Sequence, residues 1–218
     1  MSSLALHRTS TVVAGALAAV LAFFTLDLPV ARWSFDDSSL HFLHGVLDEA
    51  ETFGDGIGAA LIIVTAWVLD AARRRRIVWL AGGTLAAGLS ANLVKLSLAR
   101  LRPRAWLKLA DQSQHGPFDT FGTWWPLGHG GSGDQSFPSG HAATAFGLAV
   151  MLSAFYPRGR VWFYALAVLV AMQRVAVHAH FVSDVIVGGL LGWGVATAIV
   201  AWMAKAQAQG RPPDATPA

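Results

Sequence analysis

Apolar positions along the chain gather into six long runs, at roughly 11–30, 56–70, 77–99, 141–156, 161–177 and 184–204, separated by polar stretches. A spanning helix needs about 20 mostly apolar residues, and shorter runs serve where flanking side chains reach the interface. The pattern predicts an all-α fold, an integral membrane bundle of six transmembrane helices with one long outer loop between helices 3 and 4. The second and fourth runs are the shortest. His7 and Arg8 before the first run, with Val30-Ala31 at its end, also resemble a secretory signal. The later runs keep the protein in the membrane either way. One domain is expected over 1–206, followed by a disordered tail over 207–218 that carries Pro212, Pro213 and Pro217. No internal repeat is visible.

Composition strengthens this picture. The chain is 54% hydrophobic and 13% charged, where soluble domains carry about a quarter charged residues, and its mean hydropathy is +0.48. The 22 glycines suit closely packed membrane helices. The absence of cysteine excludes disulfides, thiolate metal sites and cysteine nucleophiles. A net charge of +3 could suggest nucleic acid, but the basic residues are split among short loops, so no nucleic-acid partner is expected.

Charge also orients the bundle. Arg73 to Arg76 lie between the second and third runs, and Arg158 and Arg160 between the fourth and fifth, which places both loops and both termini in the cytoplasm. The first outer loop is acidic, with Asp36, Asp37, Asp48, Glu49, Glu51 and Asp55, and fits a short amphipathic helix along the surface. Trp33, Trp79, Trp106, Trp124, Trp125, Trp162 and Trp202 fall near helix ends, as interfacial anchors do. The loop over about 100–140 breaks the charge rule. It should be outside, yet Arg100, Arg102, Arg104 and Lys108 crowd its start, and Lys95 stands inside the third run. An ionisable group in a membrane helix costs about 2.5 kcal/mol or more on insertion scales and marks a pathway or a site unless it snorkels to the interface.

Three stretches carry chemistry. Lys95 and Arg102 are seven residues apart, so on a helix both point along one face before Pro103 turns the chain. Together they can grip a phosphate, Arg102 with its planar fork and Lys95 as a compact charge. Phe137-Pro138-Ser139-Gly140-His141 opens the fourth run. Ser139 reads as an N-cap, the helix start suits an anion, and Gly140 allows close approach to the backbone. His141 can donate a proton to a leaving oxygen. In the third stretch His180 and Asp184 are four apart, and Arg174 lies six residues before His180. A carboxylate there can take the proton-bearing ring nitrogen and leave the other nitrogen free as a nucleophile. In the six-span topology the three stretches emerge on one outer face, a set suited to phosphoryl transfer.

The succession Lys95-x6-Arg102-Pro103, Pro138-Ser139-Gly140-His141 and Arg174-x5-His180-x3-Asp184 resembles the type 2 phosphatidic acid phosphatase superfamily, PAP2, in its bacterial membrane branch. The family's third motif usually opens Ser-Arg, whereas Gln173 precedes Arg174 here. The resemblance implies a metal-independent, cofactor-free lipid phosphatase of a bacterial inner membrane, with its active site on the periplasmic face. His180 would attack phosphorus, oriented by Asp184. Lys95, Arg102, Arg174, Ser139 and Gly140 would hold the phosphoryl oxygens, and His141 would protonate the leaving group and then activate water. Candidate substrates are undecaprenyl diphosphate, phosphatidylglycerol phosphate, phosphatidic acid and lipid A phosphate, with the bilayer as the other partner.

Rival readings are weaker. A zinc site of His141, His178, His180 and Asp184 would stand among arginines that repel a dication. An anion transporter needs polar residues through to the inner face, where these runs read Ala, Val, Leu and Gly. Vanadate haloperoxidases share the anion pocket but are typically soluble. His178 matches no partner by spacing and would at most line the entrance. The loop over 104–137, with Asp111, His115, Asp119, Trp124, Trp125 and His129, is expected to shape head-group choice.

Overall fold

The computed structural model describes residues 3–36, 41–109, 116–124 and 135–209. Expected features on Asp37, Asp111, His115, Trp125, His129 and the tail beyond residue 209 lie outside them. In chain order the elements are α1 (Ser3–Thr25), α2 (Asp27–Asp36), α3 (His41–Glu51), α4 (Gly56–Leu69), α5 (Arg74–Lys95), β1 (Leu98–Arg100), α6 (Pro103–Trp106), β2 (Phe121–Trp124), α7 (Gly140–Phe155), α8 (Arg160–Ala176) and α9 (Val182–Ala208).

Each apolar run is helical over most of its length, but the first is broken at Leu26 into α1 and α2, and the third leaves the helix at Lys95 and ends in β1. Among the described residues, three stretches are long and apolar enough to cross a membrane, namely Arg8–Thr25, Ala71–Lys95 and Val182–Ala208. The pair Gly45–Glu51 and Gly56–Leu69, bent by 66°, would make a fourth span. α7 has 16 residues and α8 has 17, so these two are short for a full hydrocarbon core. The chain is an integral membrane protein. Its outer surface carries large apolar side chains, with Leu17 66%, Leu69 78% and Val161 83% exposed, a distribution that water would penalise and lipid accepts.

The interior shows the reverse pattern, because small residues bring the helices together. α7 lies at the centre, packed by α5, α8 and α9, and its Ala142, Ala143, Ala145 and Ala149 are fully buried. A Cβ on Gly188 would stand 2.3 Å from the Ser139 carbonyl oxygen. The absence of a side chain at Gly188 therefore lets α9 press against the start of α7. Leu80, Leu148, Met151, Phe155 and Val170 fill the main core between them.

The segment between α5 and α7 is more than a connector. β1 and β2 form an antiparallel ribbon, pairing Leu98 with Trp124 and Arg100 with Phe121, so the fold is not wholly α. The Ser136 amide then donates to the Arg100 carbonyl at 2.9 Å, which threads the approach to α7 along the ribbon. Trp106 is not an interfacial anchor. It is fully buried in a second cluster with Leu28, Ala31 and Phe181, with the Arg32 guanidinium 5.4 Å from its ring centre. Trp33 and Trp162, at 62% and 64% exposed, keep the expected character.

Candidate active site

The site forms where the end of α5, the start of α7 and the α8–α9 turn meet. Ser139 is the N-cap of α7, its hydroxyl accepting from the Ala142 amide at 3.3 Å. Its own amide donates to the Asp184 carbonyl at 3.0 Å, which ties the second motif to the third. A Cβ on Gly140 would stand 3.9 Å from the Lys95 ammonium. The bare backbone at Gly140 therefore borders the space in front of that cation.

Lys95 and Arg102 do not share a helical face. α5 ends at Lys95, the chain leaves as β1, and Arg102 takes extended backbone as the N-cap of α6, with Pro103 following. The proline excludes helix at Arg102, so the two cations converge through the turn and not through helical periodicity. Lys95 has neither an ion pair nor a hydrogen bond among the described residues. The Arg102 Nε is buried with no hydrogen-bond partner. Asp184 acts on both only through space, and two half-buried cations without a direct ion pair are costly unless an anion joins them.

His180 lies in the turn between α8 and α9, held by its amide and that of Ala179, both donating to the Arg174 carbonyl at 3.1 Å. The turn requires left-handed backbone at His178 (φ 55°), whose carbonyl accepts from the Arg104 amide at 3.2 Å. His178 is buried and part of the turn's frame, where the sequence suggested an entrance residue. The ring nitrogen Nδ1 of His180 is 2.6 Å from the Ser136 carbonyl and 3.8 Å from the Asp184 carboxylate. The closest acceptor is thus a backbone carbonyl, not the carboxylate expected from the four-residue spacing. It assigns the proton to Nδ1 and leaves Nε2 with its lone pair. Burial pushes the imidazole below the ordinary histidine range. The hydrogen bond and charge of Asp184 oppose this, and the charges of Lys95 and Arg102 add to it. A neutral imidazole facing two cations is the state that can act as a nucleophile at neutral pH.

Asp184 is fully buried and already engaged. Its carboxylate accepts from the Arg100 guanidinium, from the Ser136 hydroxyl at 2.5 Å and from the Phe181 amide at 2.8 Å. Arg100 in turn donates to Asp27 at 2.7 Å, Ser183 at 2.9 Å and Thr120 at 3.0 Å. Three rings surround its guanidinium, those of Phe181, Phe121 and Phe23, at 4.2, 4.8 and 5.3 Å. Asp27, at the break between α1 and α2, also accepts from the Ser183 amide and hydroxyl at 2.8 and 2.5 Å. The sequence reading counted Arg100 as one more loop cation and missed Asp27 and Ser136 altogether.

Arg174 is paired as well. Its Nη2 is 2.6 Å from Glu51, and its Nε donates to the Gln173 side-chain oxygen at 2.5 Å. Glu51 also lies 3.4 Å from Nε2 of His141. Gln173 donates to Glu51 at 3.1 Å and to Asp48 at 2.9 Å. The residue standing where the family's serine is usual therefore clamps α3 onto α8. Gly54 permits the fit, because a Cβ there would stand 2.8 Å from the His141 carbonyl. Acidic α3 does not simply float at the surface, since Glu51 turns into the site.

Residues 76–208 match the sequence profile of the PAP2 superfamily, a stretch that holds all three motifs. The chain belongs to the PAP2 superfamily. Two curated relatives are similar over 116 residues. The lipid A 1-phosphatase of Rhizobium johnstonii is 39% identical over 52% of this chain and 43% of that protein. That of Rhizobium etli is 38% identical over 52% of this chain and 45% of that protein. The matched stretch thus spans less than half the length of these relatives. Among solved PAP2 folds, the crystal structure of Aquifex aeolicus LpxE superposes with a TM-score of 0.56 at 20% identity, over 82% of this chain and 96% of that one. The transmembrane PAP2-type phosphatidylglycerolphosphate phosphatase of Bacillus subtilis gives 0.56 at 18% identity, over 89% and 96%. These two likenesses concern the fold.

Proposed function

We propose that the chain is a metal-independent phosphatase that removes phosphate from a membrane lipid, with lipid A phosphate the substrate favoured by the curated relatives. One observation carries the reading. Lys95 and Arg102, neither in an ion pair among the described residues and the latter with a buried Nε that has no hydrogen-bond partner, act on a buried His180. Its Nδ1 is occupied by the Ser136 carbonyl, and burial holds its imidazole toward the neutral form.

In the first step Nε2 of His180 attacks phosphorus and the bond to the lipid oxygen breaks, with His141 giving that oxygen a proton. Burial and the Arg174 charge hold the pKa of this second imidazole down at about 4, and the incoming phosphate anion is what lets it carry the proton. Lys95, Arg102 and Arg174 neutralise the phosphoryl oxygens, with the Gly140 backbone and the capped start of α7 beneath them. In the second step water attacks phosphorus, His141 takes its proton, the phosphorus–nitrogen bond breaks, and inorganic phosphate leaves. Asp184 stabilises the positive charge that passes through His180. The charge pattern of the loops supports a periplasmic site with cytoplasmic termini in a bacterial inner membrane.

The test is phosphate release by purified protein in detergent with excess EDTA, from lipid A 1-phosphate, undecaprenyl diphosphate, phosphatidylglycerol phosphate and phosphatidic acid. Release that survives EDTA and disappears in His180→Ala is expected, together with an acid-labile phosphoenzyme. Equal release by the variant would remove His180 as nucleophile. No release from any lipid would leave a phosphate-binding protein.

A further inference from the structure

We infer that Glu51 selects the leaving group, favouring a phosphomonoester on an uncharged, hydroxyl-bearing head group such as a sugar and disfavouring a diphosphate, whose leaving group is itself an anion. This rests on the phosphatase reading above. The geometry begins with depth. The side chains of His180 and Asp184 are 3% and 0% exposed, whereas those of His141 and Glu51 are 32% and 33% exposed. Attack on phosphorus and departure of the leaving oxygen are roughly in line. A nucleophile on the buried floor therefore sends the leaving group toward the opening, where His141 and Glu51 stand 3.4 Å apart.

Glu51 is fixed in that position. Arg174 and Gln173 both donate to it, at 2.6 and 3.1 Å. Arg174 uses Nη2 for Glu51 and Nε for Gln173, and among the described residues nothing takes its Nη1 amino group, which can meet a phosphoryl oxygen. Glu51 can thus stay in place while substrate binds. Its carboxylate then meets whatever lies beyond the bridging oxygen. A sugar hydroxyl donates to it, a charge-assisted hydrogen bond. A second phosphate meets a like charge a few ångströms away in a half-dry cleft, a repulsive element that discriminates against that substrate.

The test compares kcat/KM for lipid A 1-phosphate and undecaprenyl diphosphate in wild type and Glu51→Gln, each purified full-length in detergent. The variant keeps the side-chain shape and removes the charge. A general weakening of His141 would lower both rates together, so the readout is their ratio. We expect the diphosphate-to-monophosphate ratio to rise about tenfold or more in Glu51→Gln. A ratio within twofold of wild type, with both proteins active, overturns the inference and leaves the phosphatase reading intact. If wild type hydrolyses neither lipid, the phosphatase reading is judged separately on the four-lipid panel above. Calorimetric binding of orthophosphate and pyrophosphate then decides the role of Glu51, with a tenfold relative gain for pyrophosphate in the variant supporting it and no change overturning it.

Discussion

Two arginines two residues apart, Arg100 and Arg102, show how one loop serves two purposes. Arg100 is wholly buried and wholly compensated, between two carboxylates, two hydroxyls and three aromatic rings. Arg102 keeps a buried Nε without a partner. The alternation of an extended chain explains the split, since residues two apart project to the same side of a strand only while the strand continues. The ribbon ends at Arg100, and Pro103 starts a new helix immediately after Arg102. Compensated charge stabilises the frame that holds Asp184, and uncompensated charge is what an incoming phosphate would satisfy.

Breaking the compensated side should have the largest effect. Arg100→Ala strands Asp27 and Asp184 as buried unpaired carboxylates, a loss of about 3–5 kcal/mol. Thermal unfolding in detergent should show a strongly lowered midpoint or no folded protein, and Asp27→Asn in the same background should recover part of it. Arg102→Ala should do the opposite. Removal of one charged donor to a developing phosphoryl charge predicts a fall in kcat/KM of about 10²–10³-fold. Its unfolding midpoint should match or exceed that of wild type, because no native ion pair is lost. A midpoint lowered as far as in Arg100→Ala would erase the distinction between the two.

Ligand binding sharpens the same contrast. Orthophosphate at about 100 times its Kd should stabilise wild type by about 2.7 kcal/mol, and the shift should vanish in Arg102→Ala. The smallest effect is expected at Gln173. Gln173→Ala removes the bonds from a buried side chain to Arg174, Asp48 and Glu51, each worth about 1 kcal/mol net because the carboxylate partners are partly exposed. A severalfold rise in KM with little change in kcat is expected from steady-state phosphate release, and an unchanged KM would mean that Glu51 alone holds Arg174.

Elements and motifs were readable in proportion to how local their causes are. The apolar runs match the helices closely, as at 56–70 against Gly56–Leu69 and 141–156 against Gly140–Phe155, because hydrophobic length reports directly on burial in lipid. Ser139 was legible as a cap because capping is decided within one turn. The shared helical face for Lys95 and Arg102 was not realised, since it extended a helical period through a stretch that the ribbon and Pro103 claim. Trp106 misled for a related reason: an aromatic near a helix end looks interfacial until the cluster of Leu28, Ala31 and Phe181 closes over it.

By itself, the sequence determined the membrane setting, the helical bundle and the three motif stretches, because each depends on composition or spacing within about one element. Only the tertiary structure decided how charge is apportioned. Arg100 meets Asp27 and Asp184 across 73 and 84 residues, Ser136 reaches Asp184 across 48, and Gln173 reaches Glu51 across 122. No local pattern encodes such pairings. A buried charge takes whichever partner the packing delivers, and the cations that packing leaves without one define where an anion belongs.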